Sequence, residues 1–294
     1  MTEQEKKKQN TSSKIKRLHI VAKHFVQTLL SGNYRSTFRG SGVEFDEVRK
    51  YVEGDDVRMI DWNVSSRLGA AYTKIFKEER ELTLFVVVDV SPSLYFGTHR
   101  QAIEQASELL FLFSLAAEHN SDKVGALFFS DRIEKWYKPR KKCRHILNPD
   151  SDHFSFKKHV RISDLAHALQ VVNQSLKQRG FCVIISDFHM RGYEKDICFL
   201  ARRHEVLAIR LYDESEKNLP KLGFMSWQDP ETKDTLPAYT STRYFRIKYY
   251  QYWKEQRMQW VRLCKRCGIS SLEISSIEDA SESLVRYFRY RKGK

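Results

Sequence analysis

The stretch from residue 84 to residue 93 limits what this chain can fold into more than any other part of its sequence. Residues 84–88 read LFVVV, and such an apolar run is typical of a strand buried on both faces of a sheet. The run ends at Asp89, and the hydroxyl residues Ser91 and Ser93 follow at spacings of two and four. A tight turn here would bring one carboxylate and two hydroxyl oxygens together beyond the strand. Oxygen ligands of this kind suit a hard cation such as Mg²⁺.

A second strand of the same design begins at residue 181. Residues 181–185 read FCVII, and the run ends at Ser186 and Asp187. Ser163 precedes this strand and is predicted to be the N-cap of a helix. In an open parallel sheet, ligands bind beyond the carboxyl ends of the strands, at a topological switch point. We therefore expect one site with these oxygen ligands: Asp89, Ser91, Ser93, Ser163 and Asp187.

Strands alternate with amphipathic helices in the rest of the chain. This order predicts an α/β fold with a doubly wound, mainly parallel sheet that has helices on both faces. After the first strand, we predict strands at 123–129, 181–187, 205–211 and 270–274, an antiparallel partner at 133–137, and helices at 100–119, 164–179, 194–203, 243–266 and 279–290.

The composition of the N-terminal third differs from that of the rest and predicts a division into regions. Residues 1–13 are polar and are expected to form a disordered basic tail. Residues 14–81 are expected to contain a helix that ends near Gly32, followed by loops and short strands. Residues 82–294 are expected to form the α/β domain, with residues 213–240 as a loop or hairpin inserted in it.

The charge of the chain is unevenly distributed. Lys and Arg number 51 against 37 Asp and Glu, which gives a formal net charge of +14. The excess is concentrated in residues 1–24, 138–144, 243–266 and 285–294, and the remainder is mildly acidic. Such an excess could serve nucleic acid, an anionic membrane surface or an acidic protein. A solvated basic surface is the commoner outcome.

Targeting and cysteine patterns favour a cytoplasmic protein. The sequence shows no signal peptide, and its longest apolar runs are far too short to span a membrane. Five scattered cysteines do not make a disulfide framework and indicate a reducing compartment. Cys264 and Cys267 form a lone C-x-x-C without a second pair of ligands, so we do not expect a metal or redox site there.

The five predicted ligands resemble the metal-ion-dependent adhesion site of the von Willebrand factor A fold. Asp89, Ser91 and Ser93 match its first loop, D-x-S-x-S, and Asp187 matches the aspartate of its third loop. Ser163 stands where the second loop usually has threonine. The resemblance implies a von Willebrand factor A-like, Rossmann-like domain that binds Mg²⁺, with Mn²⁺ and Ca²⁺ as compatible alternatives.

Almost the whole chain also resembles the bacterial domain-of-unknown-function 58 family. The resemblance is carried by residues 41–51, 54–62 and 66–67, and by shorter matches at 186–188, 201–206 and 287–291. Within residues 54–62 we expect Arg58 to bind nearby carboxylates such as Asp61 while Ile60 and Trp62 pack inward, with a contact to a partner as the alternative. The family-signature residues are expected to be structural: Glu44, Arg49, Gly54, Asp55, Arg58, Asp61 and Trp62.

This second resemblance implies a function and a partner. Proteins of this family are typically encoded beside MoxR-type AAA+ ATPases and are thought to act with them as adaptors in the assembly or activation of client proteins. In the adhesion-site fold, a carboxylate of the partner completes the coordination of the metal. The chain is thus expected to be a non-catalytic, Mg²⁺-dependent protein–protein interaction module.

Other functions remain open. A Mg²⁺-dependent hydrolase that uses Asp89 is disfavoured, because the sequence has no phosphate-binding loop, no H-E-x-x-H and no second carboxylate at Ser91. Nucleic acid could bind the alternating aromatic and basic residues of 243–266. We instead expect Phe245, Tyr249, Tyr252 and Met258 to pack on the sheet. The basic helix expected within 14–81 is also compatible with peripheral contact with an anionic membrane. Asp89 could, alternatively, serve only to shape its turn, or the site could stay free of metal.

Overall fold

The computed structural model describes residues 44–77, 82–147, 163–217, 219, 223–228 and 235–292. The chain divides into a small unit, Tyr34–Glu81, and a large unit that comprises the rest. The tail predicted at 1–13 and the helix predicted after it lie outside the described residues, as does part of the 213–240 segment.

The small unit is a two-stranded antiparallel sheet with a short helical connection. Strand β1 (Glu44–Lys50) pairs with β2 (Tyr72–Lys77), and a 3₁₀ turn at Val57–Met59 and helix α1 (Trp62–Leu68) lie between them. The Asp61 side chain accepts hydrogen bonds from two backbone N–H groups of the first turn of α1, and Gly69 ends this helix in the left-handed conformation. The sequence prediction of loops and short strands missed α1, which is only two turns long.

The large unit is built on a six-stranded sheet. The order across the sheet is β10, β7, β6, β3, β4 and β5, and all neighbours are parallel except β5, which is antiparallel to β4. The strands are β3 (Thr83–Asp89), β4 (Lys123–Phe129), β5 (Ile133–Arg140), β6 (Phe181–Ser186), β7 (Glu205–Tyr212) and β10 (Ser270–Ser275), and β8 (Phe224–Gln228) and β9 (Thr235–Tyr239) form a separate hairpin.

Within the described residues of the large unit, five helices connect and cover the strands. They are α2 (Ala102–His119), α3 (Leu165–Ser175), α4 (Glu194–Arg203), α5 (Arg243–Cys267) and α6 (Ala280–Lys292). Phe85 and Val87 of β3 belong to a core cluster with residues of α3, α4 and α5. Val86 and Val88 are equally buried, and they face the other side of the sheet because side chains alternate along a strand. The predicted α/β fold with a mostly parallel sheet is therefore confirmed.

Two predictions about α3 are wrong for identifiable reasons. The N-cap of α3 is Asp164 rather than Ser163, because the Asp164 carboxylate accepts the backbone N–H of His167. The helix ends at Ser175 rather than near residue 179. The guanidinium of Arg203 on α4 donates to the carbonyl oxygens of Asn173 and Leu176, at 2.6 and 3.2 Å, and so binds carbonyl groups at the end of the helix. None of the described helices is long and apolar enough to cross a membrane.

Candidate metal centre

The candidate site lies where β3 and β6 end side by side. The chain moves from β3 to β4 and β5 on one side, and then returns to β6 on the other side of β3. This reversal makes the carboxyl end of β3 a topological switch point, where open α/β sheets form their ligand sites. Asp89 is the last residue of β3, and Val88 pairs with Ile185, so that Asp89 and Ser186 end neighbouring strands.

A hydrogen-bond network holds the Asp89 carboxylate in a fixed orientation. The backbone N–H of Ser91 donates to Oδ1 at 2.9 Å, and the hydroxyl of Ser186 donates to Oδ2 at 2.7 Å. The Ser186 hydroxyl in turn accepts the N–H of Phe188 at 3.0 Å. The hydroxyl oxygens of Ser91 and Ser93 are 3.0 Å apart. The turn that follows β3 therefore gathers one carboxylate and two hydroxyls, as its spacing predicts.

Two buried carboxylates lie at this edge and interact electrostatically. Asp89 is fully buried and Asp187 is buried. Burial, which is the largest cause, and the negative charge of Asp187 raise the pKa of Asp89 to about 7. Hydrogen bonds from Ser91 and Ser186 act in the opposite direction. A cation between the two carboxylates would remove much of the cost of keeping both ionised.

Ser163 has a buried hydroxyl without a hydrogen-bond partner among the described residues. Its side-chain oxygen forms no hydrogen bond with any described residue. The loop that carries it is attached to the end of β4, because the N–H of Asp164 donates to the carbonyl of Ser130 at 2.8 Å. Strand β4 is the neighbour of β3, so Ser163 lies at the same edge as Asp89 and Asp187. A buried hydroxyl without a partner is uncommon, and a metal ligand is one way to satisfy it.

All five predicted residues thus come to one edge of the sheet, and their chemistry fits a hard cation. They offer two carboxylates and three hydroxyls, and Mg²⁺ prefers oxygen ligands and keeps several water molecules. The described part of the chain contains no group of three or more His, Cys, Asp or Glu side chains that could hold a metal. Binding here would therefore depend on the hydroxyl oxygens as well as on the carboxylates.

His189 borders the site and was not predicted. Its backbone N–H donates to Oδ1 of Asp187 at 3.1 Å, and its Nδ1 is 3.4 Å from Oδ2 of the same carboxylate. Its Nε2 is 3.5 Å from Glu216, and its ring centroid is 4.7 Å from that of Trp253 on α5. Burial lowers the pKa of His189, but the charges of Asp187 and Glu216 outweigh it and the net pKa is raised.

A chain of alternating charges continues from His189 to α5. Glu216 is bound by the guanidinium of Arg210, which lies on β7 and is almost fully buried. Arg210 also binds Glu273 at 3.2 Å, and Glu273 accepts a bidentate pair from Arg257 at 2.6 to 2.8 Å. A cation in the apolar run of residues 205–211 is the sequence signal that points to this network, because a buried charge requires partners.

Five of the family-signature residues have identifiable structural positions in the small unit. Arg49 pairs with Asp55 at 2.7 Å, and the other oxygen of Asp55 accepts the N–H of Val52 at 3.1 Å. Gly54, between them, has a φ of 109°, which other residues rarely adopt. Asp61 caps α1, as described above. Glu44 begins β1, opposite Lys77.

The predicted packing of Arg58 and Trp62 is wrong. The Trp62 side chain is 69% exposed rather than packed inward. Arg58 is exposed. Among the described residues, the cation next to Asp61 is Lys74, whose Nζ lies 3.6 Å from Oδ2 of Asp61. Oδ1 of Asp61 accepts the N–H groups of Asn63 and Val64 at the start of α1 and Oδ2 faces Lys74, so this carboxylate caps the helix instead of pairing with Arg58.

Helix α5 also differs from its prediction at two points. Phe245 and Tyr249 are partly buried, but Tyr252 and Met258 are exposed rather than packed on the sheet. Cys267, the last residue of α5, forms a disulfide with Cys198 of α4, with a Cα–Cα distance of 5.1 Å. Cys264 is a buried free thiol whose pKa is raised to about 12 by burial, so the C-x-x-C does not act as a pair.

Comparison with known proteins places the chain in a family. The sequence model described as "Protein of unknown function DUF58" matches residues 47–259, which is most of the chain. The chain belongs to the DUF58 family. This DUF58 chain is 28% identical over 287 residues to the uncharacterized protein Rv1480 of Mycobacterium tuberculosis, covering 95% of this chain and 89% of that protein. It is 31% identical over 130 residues to the uncharacterized protein MAV169 of Mycobacterium avium, covering 44% and 76% respectively.

Solved structures share only a distant similarity with this DUF58 chain. The conserved hypothetical protein BatB from Bacteroides thetaiotaomicron gives a TM-score of 0.43 at 12% identity, covering 72% of this chain and all of that chain. The PilB minor pilin from Streptococcus sanguinis gives a TM-score of 0.34 at 11% identity, covering 76% and 63%. TM-scores this low support no inference about fold or function.

Proposed function

We propose that this DUF58 protein is a non-catalytic, Mg²⁺-dependent protein–protein interaction module with a von Willebrand factor A-like domain. The observation that carries the proposal is the meeting of Asp89 and Asp187, two buried carboxylates, with the unsatisfied hydroxyl of Ser163 at the switch point of the sheet. A cation at this position would offset the negative charge of the two carboxylates and would give a partner to the Ser163 hydroxyl, which forms no hydrogen bond with the described residues.

The strand order supports the von Willebrand factor A-like part of the proposal. In that fold the D-x-S-x-S motif forms the first of the three loops of the metal site. Here β3 is central, Asp89 ends it, and the antiparallel β5 closes the edge beyond β4. The loops that follow β3 and β6 and the loop that precedes α3 are the three loops that would hold the cation.

The surroundings of Asp89 favour recognition over catalysis. Both carboxylate oxygens of Asp89 accept hydrogen bonds from groups of the protein, and the side chain is fully buried. A nucleophile must reach a substrate, and a general base needs a free lone pair directed at one. A bound Mg²⁺ would instead offer exchangeable positions to a carboxylate of a partner. In this proposal Asp89 anchors the site, and the oxygens of Asp89, Ser91, Ser93, Ser163 and Asp187 hold the cation.

The proposed partner is a MoxR-type AAA+ ATPase, and the client supplies or exposes the carboxylate. This part rests on the family resemblance, which implies an adaptor in the assembly or activation of other proteins. A cytoplasmic location belongs to the same proposal, since an ATP-dependent partner would be met there.

A pull-down tests the proposal. The full chain is immobilised and exposed to the MoxR-type ATPase of the same genome, in Mg²⁺ or in chelator, as wild type, as Asp89→Ala and as the exposed control Asp56→Ala. We expect retention by the wild type and the control in Mg²⁺ only, and loss in Asp89→Ala. Equal retention in every condition would rule out a metal-dependent contact.

A further inference from the structure

We propose that the outer face of α5 is the docking surface for an acidic, amphipathic segment of the partner protein. The outer face of α5 is formed by Tyr244, Ile247, Lys248, Gln251, Lys254 and Met258, which follow one another at helical spacing. This inference rests on the proposed function, because the segment would belong to the protein that the candidate metal centre recognises.

Three apolar side chains on this face are exposed to solvent. Tyr244 is 73% exposed, Ile247 45% and Met258 43%. Residues 244–258 span about 21 Å of helix, which is enough for four turns of an opposing helix. Tyrosine and methionine are enriched in protein interfaces, and aligned apolar residues on an outer helix face indicate a contact surface.

Cations flank this apolar stripe, and two of them lie near tyrosine rings. The ammonium group of Lys248 lies 5.8 Å from the centroid of the Tyr244 ring, and that of Lys254 lies 5.9 Å from the Tyr250 ring. Glu255 is the one acidic residue of α5. The last turn of the helix carries two further cations, Lys265 and Arg266. A partner that complements this face therefore carries acidic groups around an apolar stripe of its own.

The inner face of α5 leads to the candidate metal centre. Aromatic residues repeat every four positions on this face, at Phe245, Tyr249 and Trp253. The ring centroid of Tyr249 lies 6.5 Å from that of Phe245 and 6.1 Å from that of Trp253. Trp253 contacts His189, which contacts Asp187. The helix and the site are thus joined by direct contacts, and a partner rich in carboxylates suits both the cationic face and a bound cation.

Two other anionic occupants match this face less well. Single-stranded nucleic acid binds in a basic groove with successive stacking aromatics, whereas this convex face offers the Tyr244 ring followed by the aliphatic Ile247 and Met258. A membrane-surface helix inserts a wide apolar face, but the most apolar residues of α5, such as Trp260, Leu263 and Cys264, are buried in the core.

Fluorescence anisotropy with full-length protein tests the proposal. The probes are a labelled amphipathic Glu/Leu peptide of about 18 residues, a labelled oligothymidine, and vesicles of phosphatidylcholine with phosphatidylglycerol in a sedimentation assay. We expect the peptide to bind the wild type best, with affinity reduced about tenfold by Lys248→Glu/Lys254→Glu. The double substitution Ile247→Ser/Met258→Ser, which leaves the charge unchanged, should lower the affinity for the peptide and leave the affinity for oligothymidine unchanged.

The controls separate this inference from the proposed function. Lys195→Glu/Arg202→Glu reverses two exposed charges on α4 instead of α5, and it should change peptide affinity less than twofold. Chelator and Asp187→Ala remove the proposed cation, and the contribution of α5 should persist in both. No saturable peptide binding, an equal loss in the control variant, or tighter binding of oligothymidine or vesicles through the same lysines would overturn the docking surface. An unchanged affinity in chelator and in Asp187→Ala, with the α5 effects intact, would count against the metal alone.

Discussion

At the scale of single residues, the Ser163 hydroxyl separates a metal site from a turn that merely looks like one. It is buried and forms no hydrogen bond with the described residues. We expect Ser163→Ala to weaken Mn²⁺ or Mg²⁺ binding about tenfold, as for other groups that support a metal. Folding stability should change by less than about 0.5 kcal/mol, because no described hydrogen bond is lost.

The conservative variant and two measurements make this prediction sharp. Ser163→Thr keeps the hydroxyl and should retain the metal affinity. Calorimetric titration gives the affinity, and urea unfolding gives the free energy of unfolding. A loss of stability without a loss of affinity in Ser163→Ala would assign the hydroxyl a structural role and contradict the account.

A second residue-scale prediction concerns His204 and acid stability. Burial, together with the positive charges of Arg203 and Arg179, lowers the pKa of His204 from 6.5 to about 4. Below pH 6.5 the unfolded chain takes up a proton at this histidine that the folded chain refuses. The contribution of His204 to the free energy of unfolding is therefore complete above pH 6.5 and is lost as the pH falls towards 4. This loss amounts to about 1–2 kcal/mol once solvent screening is allowed for.

His204→Gln tests this pH dependence. Glutamine keeps an acceptor for the N–H of Gly180, which now donates to Nδ1 of His204 at 3.2 Å. The free energy of unfolding of His204→Gln, followed by urea denaturation from pH 7 to pH 4, should fall less steeply than that of the wild type. His119→Gln, at an exposed histidine, is the control and should keep the wild-type slope. Identical slopes in all three proteins would show that His204 is not the group responsible.

At the scale of elements, Arg210 links β7 to β10 and α5 through its two glutamates. The side chain is buried between Glu216 and Glu273. Arg210→Gln leaves two carboxylates without their shared cation, and we expect it to cost about 3–5 kcal/mol of folding stability. Arg286→Gln, which removes an exposed pair with Glu278, should cost less than about 0.5 kcal/mol. Urea unfolding measures both, and equal effects would mean that the buried network contributes nothing particular to stability.

The elements differ in how far the sequence predicts them. The apolar runs of β3 and β6 are unambiguous, because strands buried on both faces tolerate few polar residues. The length of α3 was overestimated, since the Arg203 guanidinium that binds its last carbonyls comes from a helix about 30 residues later. Helix α1 was missed because two turns carry too little periodicity. In each case the missing information is a tertiary contact or a signal too short to read.

At the scale of the whole molecule, the placement of four candidate residues at one sheet edge follows from a local rule. Asp89, Ser91 and Ser93 belong to one turn, and Asp187 directly follows a strand of the same type, so the parallel sheet alone brings them to one edge. His189, Glu216 and Trp253 could not be predicted as neighbours of the site. Their proximity depends on how α5 and the segment after β7 return to the sheet edge, which no local pattern specifies.

The whole account depends on a cation at the carboxyl ends of β3 and β6, and one calorimetric experiment tests it most directly. Mg²⁺ and Mn²⁺ are titrated into the wild-type protein, Asp187→Ala and the exposed control Asp56→Ala, after thermal melts have shown that each is folded. The account predicts one saturable site per chain in the wild type and in the control, and its loss in Asp187→Ala. Absence of binding to the wild type, or equal binding to all three proteins, would contradict it.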